Sequence, residues 1–414
     1  MAAKQKPILK DVTIVGGGPA GCSMAALLGA GGVSAVCIDQ DDPARTLGAD
    51  FDGRTTAISY GSQSILDAAG AWDALKDQAC PIRDIKIMES GSPVLLEFLR
   101  KDIEAEAFGW IVENRLLRKT LYERLAELKD VTHLAPSKVT GFEQQKELIK
   151  TFLADGREIH SKLVIGADGR NSFTREEMGI SIRGWSYNQR ALVCVIAHEK
   201  PHNNTAWEDF RSSGPFAILP MMGDAKGGHR SALVWTEHGA EKKSALHWDE
   251  YVFNAAITER FPASYGAVKA VGKRFSYPLG LIHAQSYTAP RMALVADAAH
   301  GIHPIAGQGL NIGLRDIAVL SEFIIAAKNS GMDVGGDAVL KEYEHVRRPD
   351  NMAMAAATDA LNKLFSNDSK SLRTIRIAGL KMVQKIGPAR RFFMKQAMGI
   401  GGQIPPLQKI KNND

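Results

Sequence analysis

Three changes in the spacing of apolar positions divide this chain. From Asp11 to Gln40, DVTIVGGGPAGCSMAALLGAGGVSAVCIDQ, an apolar run at Val12 to Val15 passes through glycines into an Ala/Leu-rich helical segment. A second apolar run then ends at Asp39, so the stretch reads as strand, helix, strand. From about Gly184 to Tyr287 the pattern becomes RALVCVIAHE, SALVWTEHG and KRFSYPLGLI, β-like runs separated by turns, which predicts a sheet and not further βαβ units. At Met292 to Val295 a β run returns, followed by a loop of small residues and a long amphipathic helix.

These elements predict an α/β protein. Residues 1–183 and 288–345 form two parts of one βαβ lobe, 184–287 an inserted β-sheet domain, and 346–414 a helical C-terminal region. In the last segment Leu372, Ile375, Met382, Val383 and Ile386 share a helical face with Gly379. Arg373, Lys381 and Lys385 lie away from that face, and Ile377 and Leu380 interrupt the division.

Composition narrows the picture only at a few points. A chain of 414 residues exceeds what one core usually serves, which agrees with two lobes. Cys22, Cys37, Cys80 and Cys194 lie far apart, with no metal-ligand spacing, so no metal site is expected and reduced thiols are. The N-terminus has no cleavable apolar segment and no run of 18 apolar residues occurs, which predicts a cytoplasmic protein, in solution or peripheral on a membrane. A net charge of +5 is too small to suggest nucleic acid as a partner. The charge is unevenly placed, however, because ten Lys or Arg residues and one acid, Asp414, follow Ser369.

The chemistry-bearing residues lie at the strand ends. Gly16, Gly18 and Gly21 satisfy GxGxxG between a strand and a helix, where the first permits a tight turn, the second a close approach of pyrophosphate, and the third helix packing. Asp39 then sits where a carboxylate accepts from a ribose, and this unit alone leaves FAD and NAD both open. Asp168-Gly169 follows a β run and small residues, unlike Asp155-Gly156, which reads as a hairpin turn. In ADAAHGIHPIAGQGLNIGLRD, Asp297 ends a strand, and Gly307 and Gly309 precede a helix whose free N–H groups can meet electron-rich atoms. A flavin suits both an acid for the ribityl chain and a bare backbone for a flat ring. Only one GxGxxG unit follows a strand, so a pyridine nucleotide would have to bind without its own Rossmann domain.

In this order and spacing, the three motifs resemble the fingerprints of the class A flavoprotein aromatic hydroxylases, the family typified by 4-hydroxybenzoate hydroxylase. AWEDFRSSGPFAILPM, ALVWTE, RRPDNMAMAAATDALNKLF and RRFFMKQAMG further resemble the bacterial ubiquinone-biosynthesis hydroxylases. The resemblance implies a Rossmann-type FAD-binding domain holding noncovalent FAD, with NADH, NADPH or a reductase as electron donor. It implies Arg54 near the pyrophosphate, Asn114 presenting its amide to the cofactor, and Leu310 and Asn311 turning N–H groups toward the flavin. The Pro304 carbonyl is expected near the substrate phenol. The implied reaction transfers oxygen from a flavin C4a-hydroperoxide to the ring of a polyprenylated phenol or quinol in ubiquinone biosynthesis, with O2 as co-substrate. A hydroxylase of a small soluble aromatic acid, or a non-catalytic flavin-binding scaffold, are the alternatives.

One departure is visible: the family usually has Gly before the third-motif aspartate, and this chain has Ala296. His300 and His303 read as loop histidines without an acid partner. The basic tail reads either as a helix packed on the FAD lobe or as a contact with an anionic membrane surface or a partner in a biosynthetic complex.

Overall fold

A computed structural model describes residues 6–48 and 54–401. Its first sheet runs, in spatial order, through Thr288–Ala289, Met292–Leu294, Glu158–Gly166, Ile8–Val15, Ala35–Ile38 and Val131–Leu134. Apart from the antiparallel edge at Thr288–Ala289, these neighbours are parallel. Parallel strands need crossovers, and the helix Pro19–Ala30 supplies the first of them. Its buried Met24, Ala25, Leu27 and Leu28 pack in one core with Leu117 and Leu121 of the helix Asn114–Glu127 and with Leu314 and Ile317 of the helix Gly309–Asn329. The Asp155-Gly156 turn is the expected hairpin, with Gly156 at φ +86° between Ile149–Leu153 and Glu158–Gly166.

The second sheet places His300–Gly301, Val268–Ala284, Ile182–His198, His229–His238, Gly214–Pro220, Thr205–Arg211, Asp84–Glu89 and Leu96–Leu99 side by side. It is therefore wider than the segment 184–287. Thr205–Arg211 pairs in parallel with Asp84–Glu89, and His300–Gly301 closes the other edge against Val268–Ala284. One face carries Leu192, Cys194, Phe216, Leu233 and Trp235 against Phe253 and Ile257 of the helix Glu250–Arg260. The opposite face, with Val193, Ala206, Phe210, Ala217, Leu219 and Val234, turns toward a cavity. Such alternation is what period-two side chains produce when both faces are covered.

The helix Asp337–Phe365 crosses the expected boundary at 345/346 and is followed by Lys370–Lys385 and Gly387–Ala397. The helix Lys370–Lys385 does not bury its apolar stripe as a unit. Arg376 points inward and is buried, donating from Nε to Glu89 at 2.9 Å, while Leu380 and Val383 pack beside it. A carboxylate as buried as Glu89 needs a cation, and meeting it turns the helix so that Ile375 and Met382 are each 61% exposed. Lys409, Lys411 and Asp414 of the basic tail lie outside the described residues.

Candidate active site

A cavity of about 1490 Å³ extends from the glycine turn to the second sheet and the C-terminal helices. At its first end the three motif glycines do different work. A Cβ on Gly16, which has φ +109°, would lie 2.4 Å from the Ala167 carbonyl oxygen, and one on Gly21 would lie 1.8 Å from the Gly16 oxygen. Both positions are closed by the packing of turn, helix and strand. Gly18 is different: a Cβ there would meet nothing within 4 Å, and the residue borders the cavity as the N-cap of Pro19–Ala30. Asp39 accepts from Gly17 N–H at 2.9 Å and Asp41 N–H at 3.0 Å, which ties the strand end to the turn.

The third motif forms the opposite wall. Ala296 has φ +53°, a region that L residues with a Cβ occupy at a cost of about 1–2 kcal/mol, and this is the physical reason for the family's glycine at that place. Its methyl is accommodated because residue 313 is Gly; a Cβ there would come within 2.6 Å of Ala296 Cβ. Asp297 is exposed into the cavity. The Pro304 carbonyl accepts from Gly307 N–H at 3.0 Å, and Gly307 has φ +63°. Gly309 opens the following helix with nothing within 4 Å of its Cβ position. Leu310 is half-buried beside it. The Asn311 side chain accepts from Ser59 N–H at 2.9 Å and donates to the carbonyls of Ala57 at 2.8 Å and Gly307 at 3.2 Å. It thus clamps the motif to the strand Thr55–Ser59, while its own N–H belongs to the first helical turn, which lacks intrahelical acceptors.

His300 does have an acid partner, contrary to the sequence reading. Its Nε2 lies 2.5 Å from Oδ2 of Asp316, one level down on the helix Gly309–Asn329 and invisible to a search for nearby acids. Asp316 also accepts from Arg347 Nε at 2.9 Å, Asn351 Nδ2 at 2.8 Å and Ala296 N–H at 3.1 Å. Burial acts to raise this carboxyl, but the charges of His300 and Arg347 and the hydrogen bonds outweigh it and hold the group well below the ordinary carboxylate range. The cluster fixes the strained strand end to its helix.

His303 stands in the opposite condition. It is fully buried, borders the cavity, and neither ring nitrogen has a hydrogen-bond partner among the described residues. Burial lowers its pKa to about 4, so the ring is neutral near pH 7, with the Tyr187 ring 5.2 Å away.

The remaining candidates divide between wall and scaffold. Arg54 borders the cavity with its guanidinium 4.8 Å from the centre of the Tyr277 ring. Asn114 begins its helix as expected, borders the cavity, and accepts from Thr56 Oγ1 at 2.5 Å. The Asp168 carboxylate accepts from Ser172 Oγ at 2.5 Å and from Thr174 N–H at 2.9 Å, so it shapes the loop that brings Gly169 to the wall.

These residues fit a dinucleotide with a flat ring. Two helix N-termini, at Gly18 and Gly309, open on the same cavity with their glycine Cβ positions unobstructed, the arrangement that favours pyrophosphate at one and an electron-rich ring edge at the other. Asp297 and Asn114 border the same cavity. Another part of it is apolar, walled by Ile87, Leu96, Phe98, Leu219, Leu380 and Val383.

Comparison with known proteins agrees with this geometry. Residues 10–358 match the family model described as FAD binding domain. The chain is 45% identical over 402 residues to a Rhodospirillum rubrum protein named ubiquinone hydroxylase UbiL, covering 96% of this chain and 92% of that one. It is 32% identical to the 3-demethoxyubiquinol 3-hydroxylase of Escherichia coli, with 94% and 98% covered. It is likewise 32% identical to the human mitochondrial ubiquinone biosynthesis monooxygenase COQ6, with 93% and 91% covered. In fold it is similar to p-nitrophenol 4-monooxygenase PnpA of Pseudomonas putida, with a TM-score of 0.79 at 20% identity over 96% of this chain and all of that one. With its glycine turn, its third-motif helix and its length matched throughout, the chain belongs to the FAD binding domain family and, within it, to the flavin-dependent monooxygenases that these relatives represent.

Proposed function

We propose that this enzyme hydroxylates the aromatic ring of a polyprenylated phenol or quinol on the route to ubiquinone, using noncovalent FAD, O2 and electrons from NADH, NADPH or a reductase. The observation that carries the reading is the continuity of the cavity: a polar cradle with two helix N-termini shares one space with a wall of aliphatic and aromatic side chains, the chemistry that suits a lipid-like tail. FAD, once bound, supplies the oxygen-activating chemistry. The chain supplies the rest. Gly18 and the helix behind it would hold a pyrophosphate, Asp297 would accept from a polyol chain, and the N–H groups of Leu310 and Asn311 would face the electron-rich edge of the ring. Pro304, Ile305 and Tyr277 border the place where cofactor and substrate rings would meet, and the apolar wall keeps water from it.

Delivery of the substrate adds a second element to the proposal. Ile375, Met382, Ile386, Phe392 and Phe393 are exposed on the two C-terminal helices, and Ile375 and Phe393 also border the cavity. Lys381, Lys385 and Arg391 are exposed on the same two helices. Apolar side chains beside basic ones suit the anionic surface of a membrane, where each Lys or Arg contributes about 1 kcal/mol. Arg376 is excluded from this set by its pairing with Glu89, Arg373 lies 3.9 Å from the same carboxylate, and Arg390 lies 3.3 Å from Asp102. Changing Lys381, Lys385 and Arg391 to Gln should leave FAD bound but reduce co-sedimentation with anionic vesicles. Unchanged sedimentation would remove the membrane element. For the reaction itself, loss of the gene should cause a ubiquinone precursor lacking one ring hydroxyl to accumulate; normal ubiquinone, with no second hydroxylase compensating, would contradict the assignment.

A further inference from the structure

Glu208 is out of place by its surroundings. It lies mid-strand in Thr205–Arg211, on the face that turns Ala206 and Phe210 into the cavity, with Ala217 and Ile87 opposite it on the neighbouring strands. No hydrogen bond or ion pair engages its carboxyl among the described residues. The side chain is surrounded by protein yet opens on the cavity, and burial, with a smaller effect from Asp209, raises its pKa to about 7. An acid left in such a wall is costly unless something binds it. Phe210, two residues along the same face, stacks on Phe365 at 4.1 Å between ring centres and packs with Ile305, the neighbour of Pro304. Glu208 is thus one side chain removed from the motif that borders the ring site.

We infer that Glu208 is a specificity-determining residue: its carboxylate accepts a hydrogen bond from a hydroxyl of the substrate ring and disfavours carboxylated aromatics by like-charge repulsion. This rests on the phenol reading above and goes beyond it by naming the recognising group. Other charged or titratable groups on the cavity wall are Arg54, Arg118, Arg170, Tyr277, Asp297 and His303, with Cys194 on the sheet, and Arg376, which is held by Glu89.

The test is equilibrium binding to the FAD-loaded enzyme, read from perturbation of the flavin spectrum, with a short-chain prenylated phenol and its O-methyl ether as probes. The wild type should prefer the phenol by about tenfold, the scale of one hydrogen bond to a charged acceptor. Glu208→Leu should erase the preference; retention of the wild-type preference in that variant would overturn the inference. Glu208→Gln guards against a folding failure: the wild-type preference should decline as pH falls through about 7, whereas that of the Gln variant should be flat. A flat wild-type profile would overturn the inference while leaving the phenol reading intact. Binding of neither probe by the wild type would remove both.

Discussion

Gly18 and Gly21 lie in one turn but should fail for opposite reasons when changed. At Gly21 a new methyl would sit 1.8 Å from the Gly16 oxygen, well inside van der Waals contact. Relief requires the helix Pro19–Ala30 to move away from the strand Ile8–Val15, and overpacking of this kind costs about 1–3 kcal/mol or more. At Gly18, φ −70° and ψ 178° are ordinary extended values, and a Cβ meets nothing within 4 Å. Gly18→Val should therefore change apoprotein stability by no more than about 1 kcal/mol, chiefly through the poorer N-cap. Its branched side chain would instead project into the cavity where a pyrophosphate would lie against the helix N-terminus. FAD affinity should fall by at least about tenfold, or 1.4 kcal/mol. The assay compares thermal unfolding of the two apoproteins with flavin content after gel filtration. Gly21→Ala should lose stability, while Gly18→Val should lose cofactor only. Full FAD occupancy in Gly18→Val, or equal destabilisation of both apoproteins, would refute the placement of the cofactor.

Asp297→Ala should weaken FAD retention by about 0.5–3 kcal/mol, the worth of a hydrogen bond to a carboxylate, without altering the fold; unchanged flavin affinity by fluorescence titration would make Asp297 a strand-end residue only. Ala296→Gly should be neutral or slightly stabilising, because relief of the positive φ offsets a lost methyl and added chain entropy; a loss above about 1 kcal/mol in denaturant unfolding would show the strain to be overstated. Asp316→Asn should destabilise by about 3–5 kcal/mol at pH 7 by leaving Arg347 and His300 buried without their charge partner. Since the Asp316 carboxyl is depressed in the folded state, its contribution is complete above about pH 4 and is lost as pH falls through its folded value. The gap between wild type and variant should therefore narrow only in acid; a gap already closed at pH 6 would contradict this.

What the sequence revealed was whatever depends on neighbours close in the chain. Gly16, Gly18 and Gly21 announced a turn between strand and helix, and the strand–loop–helix of the third motif could be read from its small residues. The sheet of the middle segment followed from period-two alternation. Long-range pairings were hidden. Asp84–Glu89 joins the second sheet in parallel beside a strand far along the chain, and no local pattern marks that choice. His300 found its acid on another element, and Arg376 turned inward to Glu89 because a buried charge overrides an amphipathic stripe. Glu208 was within reach: Ala206, Glu208 and Phe210 alternate with Trp207 and Asp209, which marks the acid as sharing a face with apolar residues. Whether that face met solvent or a cavity needed the fold.

The most direct test of the central claim supplies the purified FAD-loaded protein with NADH or NADPH, a short-chain prenylated phenol and 18O2, and examines the product by mass spectrometry. The account predicts a ring-hydroxylated product carrying one 18O atom, formed only when FAD, phenol and electron donor are all present. A prenylated phenol left unchanged while the donor is oxidised at a rate indifferent to it, or a hydroxyl oxygen derived from water, would contradict the account.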